Sequence, residues 1–423
     1  MPIDFRDNRP MTDRQEMVLR VGQGEGDIQG RDDKALQAGA DYLHRLGGGV
    51  LHILPGVYTM QNALYLHPNL TVRGSGPETV LKKAAGVVTR LVRDSDWYEA
   101  RVEVEDPGGF AVGCGVMLRS YKDGTGRMEV VKDTVTAVEG NVISLSRRMI
   151  KNMWLDEKAT IAAIFPILTA GELVNDVQVE DLVLDGNREE NEEINGNYSG
   201  AVFLQQCHRY TFRNVTAQNY NGDGFSFQIC DDFRFENCIS QNNANLGFHP
   251  GSGSQRPVFR DCASLGNSQG IFFCWGVSDG LAEDCVCSDN LDYGISIGHR
   301  DTDNRIVGCA VERNHKVGVL FREGKSGFRD PHRNVIEETV IRDNGFEAEG
   351  VGVDIRGETR DVEIRTCRIE DSGEGGQKVG VRIGAKTNGT KLEGNLFNDL
   401  ETDVENLKEG AQKKEAENLR TAV

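Results

Sequence analysis

The chain has 423 residues, 48 basic against 66 acidic side chains for a net charge of −18, and 38% apolar residues. Glycine reaches 50 residues and proline only 10, with no glycine at every third position, which excludes collagen. The apolar content excludes a disordered chain, the negative charge excludes a general nucleic-acid binder, and no apolar run reaches the ~18 residues that span a bilayer.

The opening sequence, MPIDFRDNRPMTDRQEMVLR, lacks the apolar core of a secretory signal. As written the chain is therefore expected in the cytoplasm, or secreted or periplasmic if a leader precedes it. Residues 32–45 (DDKALQAGADYLHR) predict a short amphipathic helix opened by aspartate. GGGVLHILPGVYTMQNALYLHPNLTVRGSG then reads as a glycine turn, a strand, a Pro-Gly turn and two more strands. Residues 91–165 read as antiparallel strands joined by Pro-Gly and Gly-Asn turns, a small β-domain inserted into an early coil. The expected organisation is a cap and first coils over 1–90, this insertion, a parallel β-helix over 166–400 and a polar, helix-prone tail over 401–423.

The helix prediction rests on a repeat. GAVFLQQ, GFSFQIC, GFHPGSGS, GIFFCWG, GISIGHR, GVLFREG, GVDIRGE and GVRIGAK begin at Gly200, Gly224, Gly247, Gly270, Gly294, Gly318, Gly352 and Gly380. Most intervals are 23 or 24 residues. Cys238, Cys262, Cys285 and Cys309 follow the same period, at a position held by Val215 and Val340 in other coils. So do Asn219, Asn243, Asn267, Asn290, Asn314 and Asn344. Short alternating strands separated by Asn, Asp or Gly turns at one fixed period predict a solenoid, one repeat per coil, coils stacked about 4.8 Å apart. The leucine pattern of leucine-rich repeats is absent. The cysteines are then stacked core residues, neither disulfides nor metal ligands.

In each repeat the first and third residues after the glycine point inward, so the second, fourth and fifth line an outer face. Reading down the stack, that face carries His249, Phe272, Asp354, Gln228, Arg322, Arg356, Ser252, Trp275, His299 and Glu323. The turns add Asp223 before one strand, Gln255 in GFHPGSGSQRP, and Arg300, Asp301 and Asp303 in GISIGHRDTDN. Rings, imidazoles, guanidinium groups and carboxylates on a long flat surface suit an extended sugar chain. A merely solvated strand face accounts for any one of them alone.

The segment over 31–80, with its acidic-led helix, GGG, apolar strand, PGVY and a closing GSG turn, resembles the N-terminal cap of the pectate-lyase superfamily. DPHR (330–333) shares three letters with the DPHE motif of alginate epimerases, although it falls in a longer turn. NGD (221–223) and GVRIG (380–384) resemble polygalacturonase motifs, while Asn245, Leu246 and Asp292-Tyr293-Gly294 replace that family's paired aspartates and Gly-His-Gly turn. Over residues 31–400 the chain is most similar to uncharacterised right-handed β-helix repeat proteins of the superfamily. That resemblance implies carbohydrate chemistry.

The expected activity is β-elimination on a poly- or oligosaccharide. His249 or His299 would be the base, Arg300 and Arg322 would neutralise a uronate, and Asp301 and Asp303 would complete the catalytic set. Asp223, Gln228, Ser252, Gln255, Phe272, Trp275, Glu323, Asp354 and Arg356 would bind substrate. Residues 294–334 carry eight Lys/Arg against five Asp/Glu, which suits an anionic sugar. An inverting hydrolase with paired carboxylates, an epimerase and a non-catalytic sugar-binding β-helix are the alternatives. No cofactor is required; calcium is an open addition, and side-by-side β-helices suggest a homo-trimer.

Overall fold

The computed structural model describes residues 17–122, 127–325, 327–373 and 376–408. Every regular coil gives one strand to an eleven-stranded parallel sheet. This sheet runs from Leu64–Leu66 and Leu168–Ala170 through Gly200–Gln205, Asp223–Gln228, Leu246–Gly251, Gln269–Phe272 and Tyr293–Ile297. It continues through Val317–Phe321, Val351–Ile355 and Val379–Ile383 to Thr402–Asn406. The remaining strands of the coils, such as Arg234–Glu236 and Ile239–Gln241, form the other parallel stack.

Parallel registry places like above like. Phe225, Phe248, Ile271, Ile295, Val319, Val353 and Val381 make one buried inward column. Phe212, Phe235 and Phe259 stack opposite it with ring centroids 5.0 and 5.2 Å apart. Burying each such side chain stabilises the coil by about 1.5–3 kcal/mol, and only stacking supplies that burial.

Three ladders read from the sequence shift by one residue. In the first repeat Gly200 lies opposite Asp223 and Val202 pairs with Phe225, so Phe203 faces outward instead of Val202. Asn243, Asn267, Asn290, Asn314 and Asn344 are buried and joined by side-chain and backbone bonds, such as Asn314 Nδ2 to Asn344 Oδ1 at 2.9 Å. Tyr220, not Asn219, precedes them: its N–H donates to Asn243 Oδ1 at 2.9 Å. In the cysteine ladder Cys309 is followed by Thr339, not Val340, and then Cys367. All ten cysteines are buried and unpaired. A thiol reagent should therefore find no reactive group in the native protein and ten after denaturation; fewer than ten would reveal a disulfide and overturn this packing.

The helix Asp33–Arg45 is capped by Asp32, whose carboxylate accepts from Ala35 N at 3.2 Å. It buries Leu36, Ala40 and Leu43 over the open end of the stack, where an uncovered sheet edge would otherwise recruit another chain. A strand the sequence reading missed, Val18–Gly22, pairs with Gly49–Ile53 beneath it. Between Val88 and Ala162 a six-stranded antiparallel sheet builds its own core around Val102, Val116, Leu118, Val131, Val135, Ile143 and Ile161. Within the expected C-terminal tail, Thr402–Asn406 forms the last rung of the parallel sheet; residues 409–423 lie outside the described residues. No helix among the described residues is long and apolar enough to cross a membrane.

Candidate functional site

The outer column of the eleven-stranded sheet reads Tyr65, Thr169, Phe203, Ser226, His249, Phe272, Ser296, Leu320, Asp354, Arg382 and Glu405. The register alone would lead one to expect solvent here, yet Ser226, His249 and Ser296 are buried. The segment 186–199 crosses this face. Ser226 Oγ donates to Gly196 O at 3.1 Å, Asn245 Nδ2 donates to Ile194 O at 2.7 Å, and Gly196 lies so close to the Asp223 carboxylate that a Cβ would stand 1.9 Å from it.

Beneath that segment His249 Nδ1 bonds Asp223 Oδ2 at 2.7 Å, and its Nε2 is buried without a partner. Asp223 also accepts from Leu246 N at 3.1 Å. Gln228, buried beside Gly251, donates to Ser226 Oγ at 3.4 Å. The pair fixes the imidazole orientation as a catalytic dyad does, but His249 is 2% exposed. A polymer does not reach it while 186–199 is in place, so His249 is not the surface base expected from the sequence.

One coil on, His249 meets Phe272 edge-on at 5.5 Å, and the Arg322 guanidinium covers the Phe272 ring at 4.0 Å. Arg322 donates to Ser296 Oγ at 2.5 Å and to Phe273 O at 2.6 Å, and stands 3.6 Å from Asp301 Oδ2. Asp301 is fully buried and accepts from Gly276 N, Val277 N and Gly298 N at 2.7–2.9 Å. Burial raises its carboxyl to about 6, against the pull of Arg322 and those three N–H groups. Arg322 therefore knits three coils together, with both terminal nitrogens bonded and its Nε buried, which corrects its assignment to a uronate. Asp303 departs too: Arg333 holds it bidentately at 2.7–2.8 Å on the far side of the turn. Gln255 donates to Gly253 O and Gly276 O and bonds Ser278, so it is a turn clamp.

The accessible part of the site lies where these strands end. Ile229, Ser252, Trp275 and His299 occupy successive rungs with φ of 56°, 47°, 67° and 52°. The same left-handed turn recurs at other corners of the coils, as at Asp232, Arg256 and Asp279, and here it sets the direction of these side chains. Trp275 is 46% exposed and stacks on His299, centroids 4.8 Å apart and planes 5° from parallel. Burial, with Arg322, Arg329 and Arg300 nearby, lowers the pKa of His299, leaving it a neutral imidazole at neutral pH. Arg300 is exposed, and its N–H bonds Arg329 O at 2.8 Å beside exposed Phe328. Trp275 and His299 thus lie together, with Arg300 next in the chain and Ser252 one rung before Trp275.

Glu323, Asp354 and Arg356 lie elsewhere, in an open cleft of about 780 Å³ shared with Glu349, Arg382, Lys386 and Glu405. Arg356 pairs with Asp354 at 2.7 Å, Arg382 bonds both Glu349 and Glu405, and Lys386 approaches Glu323 at 3.6 Å. DPHR is structural: Asp330 accepts from Gly324 N and Glu358 N, and His332 Nδ1 accepts from Arg360 N at 3.2 Å. Among the described residues no three His, Cys, Asp or Glu side chains are grouped to hold a metal ion. The repeat places Ser226 and Ser296 on the outer face without singling them out, and sequence reasoning missed Lys132 of the inserted sheet. That lysine shares a strand face with Val130 and Thr134 and lies over the Phe203 ring, 3.6 Å from its centroid.

The family pattern described as "Right handed beta helix region" matches residues 182–330. The chain is a right-handed parallel β-helix protein. Its fold is similar to the A-modules of two Azotobacter vinelandii mannuronan C-5 epimerases. AlgE4 has TM-score 0.58 and 16% identity over 95% of this chain and 100% of that one; AlgE6 has 0.56 and 14% over 92% and 95%. PfbA, a surface adhesin of Streptococcus pneumoniae, is similar at TM-score 0.52 and 10% identity over 88% of each chain. No curated protein matches the sequence. At these identities the β-helix itself is what is shared.

Proposed function

We propose that this β-helix protein acts on a saccharide chain lying across the strand ends around Trp275. His299 abstracts the proton next to a uronate carboxylate, and Arg300 neutralises that carboxylate. The observation that carries this reading is the exposed Trp275–His299 stack in left-handed backbone. It offers a ring face for a pyranose beside an unprotonated imidazole, with a cation adjacent. That the fold is similar to mannuronan epimerases supports a saccharide substrate. Elimination and epimerisation share this first step and differ in whether the carbanion expels the 4-substituent or regains a proton. Hydrolysis is the weaker reading. Of the carboxylates that could pair for it, Asp223 and Asp301 are buried and Asp303 is held by Arg333.

A panel of uronate polymers, read by ultraviolet absorbance of the unsaturated product and by exchange of the C5 hydrogen in heavy water, tests the reading. His299→Ala should lower kcat by about 10²–10⁴-fold, and Trp275→Ala should raise KM by about tenfold or more. Wild-type activity should rise with pH through the lowered pKa of His299. Full activity in His299→Ala would remove the assignment.

A further inference from the structure

We propose that Lys132, delivered by the inserted β-domain, forms a subsite for the carboxylate of an acidic saccharide at the N-terminal end of the outer face. The proposal rests on the saccharide reading above and extends it to a second unit of the chain. In the sheet made by Gly115–Lys122, Arg127–Glu139 and Thr160–Ala162, Val131, Val135, Leu118 and Ile161 fill the insertion's own core. The opposite face turns to the β-helix. Met117 and Ala162 pack with Ile194, Val130 and Tyr198, and Thr134 Oγ1 accepts from Asn62 Nδ2 at 3.0 Å.

Lys132 sits on this second face, its Nζ 3.6 Å from the centroid of Phe203, a member of the outer column. Phe203 is two rungs before His249 and four before Ser296, about 19 Å by strand spacing. The subsite therefore meets a different sugar from the one at His299.

The amine has no hydrogen-bond or ion-pair partner among the described residues, and the charged groups around it are committed elsewhere. Arg119 pairs with Glu192 at 2.6 Å, the Asp133 carboxylate accepts from Thr134 N, Ser146 N and Arg147 N, and Glu172 accepts from Gln205. Tyr65, also on the outer column, has its phenol pushed up by burial. A cation over an aromatic face with no counter-charge is costly, and a ligand carboxylate removes that cost. Burial alone brings the Lys132 ammonium down to about 7. A bound carboxylate favours the charged form, so binding above pH 7 takes up a proton and affinity falls as pH rises.

Calorimetry with short oligogalacturonates and neutral cello-oligosaccharides, in buffers of different ionisation enthalpy below and above pH 7, tests this. Wild type should prefer the acidic ligand by about tenfold or more, with close to one proton taken up above pH 7. K132M should lose the uptake and most of the preference, the remainder being what Arg300 holds. K132R should keep the preference without the uptake, which separates charge from packing. Acidic preference with proton uptake surviving in K132M overturns the subsite and leaves the saccharide reading standing; equal wild-type binding of both ligands overturns the subsite and the uronate contact of Arg300, and leaves only a saccharide ligand. Binding of neither ligand overturns both.

Discussion

Asp223→Ala should destabilise the protein by about 3–5 kcal/mol, because it strands a buried imidazole and an amide with no acceptor. His249 Nδ1 and Leu246 N both lose their partner, and segment 186–199 loses the carboxylate against which Gly196 packs. A solenoid transmits such damage mainly to neighbouring coils. Faster amide exchange should therefore concentrate at Leu246 and its flanking rungs, while the coils around Val381 stay protected. Asp223→Asn, which keeps shape and an acceptor, should recover much of the loss. An unchanged urea midpoint and unchanged Leu246 exchange in Asp223→Ala would show that the pair holds nothing together.

Arg322→Met should cost a similar ~3–5 kcal/mol, through a different set of contacts. It deletes the bonds to Ser296 Oγ and Phe273 O and the cation over Phe272, and leaves Asp301 buried without its cation. Adding Asp301→Asn should return part of that cost, with a coupling of about 1–3 kcal/mol measured by a double-mutant cycle. Additive losses would mean the two side chains are independent. The pH dependence has a definite sign. The Asp301 carboxyl titrates near 6 when folded, above its ordinary value of 3.8, so between these values the folded state keeps a proton that the unfolded chain has released. Its contribution is complete at low pH and is lost as pH rises through about 6, with a slope approaching 1.4 kcal/mol per unit. Asp301→Asn should abolish that slope.

Both side chains stood out in the sequence, as did Trp275 and His299, because each interrupts an apolar strand or turn with chemistry that is expensive to leave unused. Their roles did not follow. Asp301 and Asp303 are two residues apart in one turn, yet one is enclosed by three backbone N–H groups and the other is drawn outward by Arg333. The period-2 pattern fixed which face His249 occupies. It said nothing of segment 186–199, whose polar sequence gives no hint of what it covers. Lys132 gave no sign in the sequence, since only the packing of the inserted sheet brings it to Phe203.

By itself the sequence determined the coil. A 23–24-residue period with glycine, asparagine and cysteine in step allows parallel stacking, and stacking converts each repeated residue into a column. One-residue slips at Gly200, Asn219 and Val340 mark its limit, since a lengthened turn moves the alignment without altering the composition. Tertiary structure decided which parts of the outer face meet water. Registry brings side chains from distant repeats to about 4.8 Å, but access depends on what folds back over them. Here 186–199, backed by the inserted sheet, packs against Asp223 and Ser226 beside the buried His249, while Trp275 and Arg300 are exposed and His299 is half-buried.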